Sequence, residues 1–287
     1  MKDDLLRRIS DMMPEFSKGQ KLIANYILQH YEKAAYMTAL KLGNVVNVSE
    51  STVVRFANKL GYEGYPQLQR SLQSHIKNRL TTIQRMDVTR SRIGALENPV
   101  EGVLNQDIDK IRRTMEVVSS RQFESAVDKI CSAKNIYIQG AMSSGILANF
   151  MHYYLRLIFD NVSHIGAVAT NELYQQMVHI GEGDVLIALS FPRYAASTID
   201  ACKFASESGA DIVAITDSES SPLVQYADAT LYAYSDMVSF VDSLVAPMSL
   251  INALIVALSD RNRESVEEKF SRLEQLWERT EVYKKDV

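Results

Sequence analysis

The sequence predicts two modules in series: an all-α helix-turn-helix domain, then an α/β domain with a parallel five-stranded sheet flanked by helices. Three observations carry this expectation. Residues 1–80 place their apolar positions at helical spacing and contain no strand-like alternation. From residue 134 onward, short β-branched apolar runs alternate with amphipathic stretches, the pattern of a parallel sheet whose strands are buried on both faces. Charge is also divided: residues 1–90 hold 14 Lys+Arg against 8 Asp+Glu, and the remainder holds 17 against 27. A basic first third on an acidic body points to a polyanion as the partner of that first third.

In the first module Leu22, Ile23, Tyr26, Ile27 and Tyr31 form one helical face. The segment from Thr38 to Tyr62 then reads as two short helices around a turn. Leu40 and Val45 are expected to face inward on the first, and Asn47 and Val48 to sit in the turn. Ser49 suits an N-cap, because its side-chain oxygen can accept a bond from an early amide of the second helix. Val53, Val54 and Leu60 would anchor that helix, and Gly61 would end it in the left-handed conformation. The remaining face is Ser49, Glu50, Ser51, Thr52, Arg55, Asn58 and Lys59. Ser, Thr, Asn and Arg can read base edges in a major groove, while Lys59 and the helix N-terminus can neutralise phosphates. A polar face on a helix pair would equally suit an αα-corner inside a bundle; the basic balance of the same region favours double-stranded DNA.

Residues 81–106 are more polar, carry Gly94, Pro99 and Gly102, and read as a linker between a domain at 1–80 and one at 107–287. The helical pattern resumes over 107–131 with Ile108, Ile111, Met115 and Val118. Strands are expected at 136–138, 162–165, 185–189, 212–215 and 230–232, with helices such as 144–159 and 196–208 between them. A last helix, Arg263–Tyr283, sets Phe270, Leu273, Leu276 and Trp277 on one side, for the body or for a partner subunit.

Two strand-to-helix loops carry the second chemistry. Gly140-Ala-Met-Ser143-Ser144-Gly145 feeds a helix whose N-terminal amides and dipole favour an anion, with two hydroxyls at the same spot. Ser190-Phe-Pro-Arg193-Tyr194-Ala-Ala-Ser197-Thr198 opens another, and a guanidinium there can bond two phosphate oxygens. Ser143, Ser144, Ser190, Arg193, Tyr194 and Ser197 are the candidate ligand residues, at the strand ends where open parallel sheets hold ligands.

The composition, 46% hydrophobic and 23% charged, excludes collagen-like and low-complexity classes. Cys131 and Cys202 are too few for a disulfide framework, and His30, His75, His152, His164 and His179 lack metal-ligand spacing, so no metal or cofactor is expected. The start, MKDDLLRRIS, lacks a signal-peptide core, and the most apolar stretch, Leu244–Leu258, is interrupted by Pro247, Ser249 and Asn252. It also falls short of the ~20 residues that span a bilayer, so no membrane association and a cytoplasmic location are expected.

The run Val48-Ser49, Thr52-Val53-Val54-Arg55-Phe56, Leu60-Gly61-Tyr62, Gly64-Tyr65 resembles the N-terminal domain of RpiR/MurR-type bacterial transcriptional regulators. Residues 107–260 resemble the SIS (sugar isomerase) domain that follows it there. The resemblance implies an operator-DNA partner and a sugar-phosphate effector. A homodimer or homotetramer is expected because helix-turn-helix readers bind paired half-sites, and a basic DNA-reading head on the same chain argues for sensing without catalysis. It places Arg55 on the family's Arg position and the aromatics Tyr62 and Tyr65 on packing positions. Ser144 falls on the first-loop serine that holds the sugar phosphate, and Ser190 on the first serine of the later Ser-x-Ser-Gly-x-Thr loop. Pro192, Arg193 and Ala195 replace that loop's second Ser, its Gly and its Thr, so the usual hydroxyl cradle is partly gone. Thr216-Asp217, Ser221-Pro222-Leu223 and Ala227-Asp228 match a further family run, read here as structural. The rival reading is a phosphosugar isomerase with an N-terminal helical oligomerisation domain. Its acid/base candidates would be Glu172, His164 and His179, none paired at a spacing that enforces catalytic geometry.

Overall fold

A computed structural model describes residues 5–76, 83, 98–166, 170–236 and 241–282. The chain divides near Pro99 into two compact units.

The first unit is helical: α1 (Leu5–Asp11), a 3-10 turn (Met13–Glu15), α2 (Lys18–Gln29), α3 (Tyr31–Ala34), α4 (Ala39–Val45), α5 (Glu50–Lys59) and α6 (Tyr65–Ile76). A capping box starts α2: Gln20 N donates to Ser17 Oγ (3.4 Å), and Ser17 N donates to Gln20 Oε1 (3.0 Å). Ile9, Ile23, Ile27, Leu42, Val53, Phe56, Leu68 and Leu72 are fully buried, and the Phe16 and Phe56 rings meet at 5.0 Å. The aromatics after α5 pack as expected. Tyr65 OH donates to the Met37 carbonyl (2.8 Å), and Tyr62 OH accepts from Arg8 (2.6 Å), whose guanidinium lies 5.0 Å over the Tyr62 ring.

The expected inward face of α4 is corrected. Leu40 and Val45 are exposed, and the buried stripe is Ala39, Leu42 and Gly43. A seven-residue helix admits two apolar phases, and the small residues let it approach α5 closely. Leu22 is likewise exposed, its expected place taken by Ala24. On α5, Phe56 and Ala57 fill the core beside Val53, while Val54 is only half-buried.

The second unit contains α7 (Pro99–Val117), α8 (Ser120–Ser132), β1 (Ile136–Gly140), α9 (Ser143–Ile158), β2 (Val162–Ile165) and α10 (Thr170–Gln176). It continues with β3 (Val185–Leu189), α11 (Ala196–Glu207), β4 (Asp211–Thr216), β5 (Ala229–Tyr232), α12 (Val245–Arg261) and α13 (Arg263–Thr280). The five strands run parallel in the order β2-β1-β3-β4-β5. Ile136, Ile138, Val185, Ile187, Val213 and Ile215 point to one face, covered by α8, α9 and α12 with Val266 of α13. Tyr137, Leu186, Ala188, Ile212 and Ala214 point to the other, where α10 and α11 lie.

The helical stretch read at 107–131 is two helices. They break at Val118–Ser119, where Ser119 Oγ accepts from Gln122 N (3.4 Å) and caps α8. Helix α7 begins at Pro99, so residues 99–106 of the expected linker are helical; residues 81–97, Ile83 excepted, lie outside the described residues. The last helix stops at Thr280, and Tyr283 lies outside the described residues. Among those residues no helix is long and apolar enough to cross a membrane. None of them forms a cluster of three His, Cys, Asp or Glu able to hold a metal ion. Cys202 is buried in the sheet's second face, which pushes its thiol up to about 12.

His152 of α9 and His164 of β2 meet at a ring separation of 5.6 Å. Burial lowers both imidazole pKa values; Arg156 lowers His152 further, and His152 lowers His164. On acidification the unfolded chain therefore binds these protons before the folded one does. The stability contribution is intact above about 6.5, the ordinary imidazole value, and is lost as pH falls through it toward the depressed native values. Melts followed by Trp277 fluorescence should show the second unit weakening between about pH 7 and pH 5. A His152→Gln/His164→Gln variant should show a flatter profile.

Candidate functional site

The helix pair α4–α5 is held by one close approach. Thr38 Oγ1 accepts from Lys41 N (3.2 Å) and starts α4. At its end the chain turns through Asn47 at φ +56°, and Val48 N donates to the Gly43 carbonyl (2.9 Å). A β-carbon at Gly43 would lie 2.7 Å from the Val48 carbonyl oxygen, so only glycine lets the turn close. Ser49 caps α5 as expected, accepting from Thr52 N (3.3 Å). At the far end Gly61 N donates to Asn58 O (2.9 Å) and Tyr62 N to Ala57 O (3.1 Å), with Gly61 at φ +84°. These two bonds are a Schellman stop.

The outward face of α5 presents Ser49, Glu50, Ser51, Arg55, Asn58 and Lys59 exposed and Thr52 half-buried. Its first turn is internally bonded. Ser49 Oγ lies 2.9 Å from both Ser51 Oγ and Thr52 Oγ1, and Arg55 Nη2 donates to Thr52 Oγ1 (3.3 Å). Lys59 donates to the Glu15 carbonyl and lies 5.9 Å over the Phe16 ring, which holds it against the 3-10 turn.

In the second unit, the sheet order reverses direction at β1: the chain passes to β2 on one side, then returns to β3 on the other. Gly140 pairs with Leu189, so the loops leaving β1 and β3 emerge side by side at the carboxyl edge. A β-carbon at Gly140 would lie 2.6 Å from the Ser144 carbonyl oxygen, which fixes glycine at the first bend. Helices α9 and α11 begin at Met142 and Ala195 with no side-chain cap among the described residues. Each loop holds one non-glycine residue at positive φ, Met142 at +55° and Arg193 at +66°.

The six candidate ligand residues separate by burial. Ser143 and Arg193 are exposed, Tyr194 and Ser197 intermediate, Ser144 and Ser190 buried. Tyr194 OH donates to Asp217 Oδ1 (2.7 Å), and burial first, then the Asp217 carboxylate, raises its pKa. Thr216 Oγ1 donates to the Ser190 carbonyl (2.8 Å) and lies 2.8 Å from Ser221 Oγ. Asp228 Oδ2 accepts from Ile212 N (2.8 Å). Thr216, Ser221 and Asp228 therefore tie strand ends together, matching their structural reading. Of the acid/base candidates, Glu172 and His179 are exposed around α10, and His164 stacks near His152.

Two residues stand outside the candidate ligand set. Gln139, the last side chain of β1 before the glycine loop, is fully buried, and both its amide atoms lack hydrogen-bond partners among the described residues. Thr198, in the first turn of α11, is equally buried, and its hydroxyl is unpaired among the same residues. A polar residue ending an apolar run was the available signal, and it reads as punctuation.

Residues 3–79 match the family described as the helix-turn-helix domain of the rpiR family, and residues 129–257 match the SIS domain. An HTH-type transcriptional regulator of Caldanaerobacter subterraneus subsp. tengcongensis is 23% identical over 92% of this chain and 93% of its own length. The HTH-type regulator YfhH of Escherichia coli K12 is 23% identical over 94% and 97%. Among solved structures, the sugar isomerase domain of an RpiR transcription factor from Sphaerobacter thermophilus is similar at 25% identity and TM-score 0.59, covering 62% of this chain and 98% of that one. The Vibrio vulnificus NanR protein, solved with ManNAc-6P, shares the fold at 21% identity and TM-score 0.57 over 95% and 98%.

The Gly43 contact yields a direct test. Gly43→Ala should cost about 1–3 kcal/mol through overpacking, read as faster hydrogen exchange in α4 and α5. Leu40→Ala, at an exposed site, should stay within about 0.5 kcal/mol.

Proposed function

We propose that this chain, which belongs to the rpiR family of helix-turn-helix regulators and carries a SIS domain, regulates transcription by binding operator DNA under the control of a sugar phosphate. The observation that carries the reading is the outward face of α5. Its capped N-terminus, Ser51, Arg55 and Asn58 stand exposed on a helix whose opposite side is locked into the core. That disposition suits a helix laid in a major groove, with Arg55 and Asn58 toward base edges and the N-terminus toward phosphate. Lys59 supplies charge at the C-terminal end, where its tether to Glu15 would fix its direction. The basic balance of the same third supports a polyanionic partner.

The effector reading places a phosphate at the paired helix N-termini of α9 and α11, with Ser143, Ser144, Ser190, Arg193, Tyr194 and Ser197 around it. Arg193 offers the fixed charge that the replaced hydroxyls of its loop do not. The ManNAc-6P of the Vibrio protein's complex supports this ligand class. The chain acts as a sensor without turnover. Support comes from the names of its relatives and from the placement of His164 on β2 beside His152, while Glu172 and His179 lie exposed on and just after α10. It works in the cytoplasm as a homo-oligomer, because paired helix-turn-helix heads read paired half-sites.

Two measurements test the reading. Affinity for DNA from upstream of the chain's own gene should fall steeply with salt, and Arg55→Ala should weaken it by about 1–3 kcal/mol. Salt-insensitive or absent binding by the native chain removes the regulator reading. Separately, Arg193→Ala should reduce thermal stabilisation by N-acetylmannosamine 6-phosphate, at concentrations that saturate the native chain, by the equivalent of at least a roughly tenfold loss of affinity. An unchanged shift takes Arg193 out of the site.

A further inference from the structure

We propose that Gln139 and Thr198 form a hydroxyl-reading subsite beneath the two strand-end loops, which selects the sugar part of the effector; this rests on the effector reading above. Both residues lie on the α10/α11 face of the sheet, at its carboxyl end. Gln139 follows the side-chain alternation of Tyr137 on β1, opposite Ala188 of β3 and Ile165 of β2. Thr198 begins the stripe Thr198, Ala201, Cys202, Ala205, along which α11 meets the sheet. Both are 0% exposed. Three polar atoms, Gln139 Oε1, Gln139 Nε2 and Thr198 Oγ1, therefore sit buried on this face without hydrogen-bond partners among the described residues, whereas the Thr216 hydroxyl nearby is paired.

An unpaired buried polar atom costs about 1–3 kcal/mol, and well-packed domains rarely hold several together. Leucine and valine would fill the same places without that cost, so the polar atoms point to a ligand. Their chemistry names its class. The Gln139 carbonyl oxygen needs a donor, which a fully ionised phosphate lacks, while the amide nitrogen needs an acceptor. A sugar hydroxyl is both, and so is the hydroxyl of Thr198. The position agrees: Gln139 immediately precedes the Gly140–Gly145 loop, and Thr198 lies in the helical turn that follows the Arg193 loop. Both residues thus adjoin the helix starts that would take the phosphate. The three atoms are closed from solvent, so pairing them draws on a shift of the chain around the strand ends. Ligands able to pair them then favour that shifted arrangement.

The test uses the full chain and the variants Gln139→Leu and Thr198→Val. Binding of N-acetylmannosamine 6-phosphate, glucosamine 6-phosphate, glucose 6-phosphate and inorganic phosphate is measured by calorimetry and thermal shift. Each variant should melt no lower than the native chain when unliganded. Each should bind the preferred sugar phosphate at least tenfold more weakly, with the response to inorganic phosphate unchanged. If both variants fold and bind that sugar phosphate within twofold of native, the subsite is overturned while the effector reading stands. If the native chain responds to none of the sugar phosphates, the effector reading falls and the subsite falls with it.

Discussion

The pairing of β1 with β3 is the constraint on which the second unit depends. Its register sets Ile136 against Val185 at one end and Gly140 against Leu189 at the other. Because the chain visits β2 on one side of β1 before adding β3 on the other, two strand-to-helix loops leave the same edge with no strand between them. Glycine at 140 is forced by the return of α9, whose Ser144 carbonyl occupies the space a side chain would need. From these two facts follows the placement of both uncapped helix starts, of buried Ser144 and Ser190, and of Gln139 beneath them.

The first unit rests on an analogous contact at smaller scale. The Gly43 carbonyl receives the Val48 amide, and the missing side chain at 43 lets the Val48 carbonyl approach. The turn is thereby fixed, α5 starts at Ser49, and the phase of the helix follows. Phe56 and Ala57 go into the core while Arg55 and Asn58 go out. The direction of the polar face is a consequence of backbone packing at the preceding turn, not of the polar residues themselves.

The strands were legible because burial on both faces leaves continuous apolar runs, such as Val185–Leu189, that no surface helix shares. The cap at Ser49 and the stop at Gly61 were legible because each residue type answers a specific orphaned backbone group. Leu40 and Val45 misled because large apolar residues dominate any reading of a seven-residue helix, whereas Ala39 and Gly43 make its close contact. The break at Ser119 was hidden because apolar spacing carries across it from Met115 to Val118 and Phe123. Gln139 was hidden for a different reason: hydrogen-bond satisfaction is a property of the surroundings, and no spacing rule reports it.

In the proposed function the two modules need only a modest energetic link. Allosteric couplings are typically about 1–3 kcal/mol, and the sugar phosphate and the operator must then alter each other's affinity by the same factor. Non-glycine residues held at positive φ cost on the order of 1–3 kcal/mol each. One such residue, Met142 or Arg193, stands in each loop at the paired strand ends. The strain stored where the ligand would bind is therefore of the same size as the coupling required. A ligand that relieved or reinforced it, while pairing Gln139 and Thr198, would supply the differential affinity from the loops themselves, without any rearrangement of the sheet beneath.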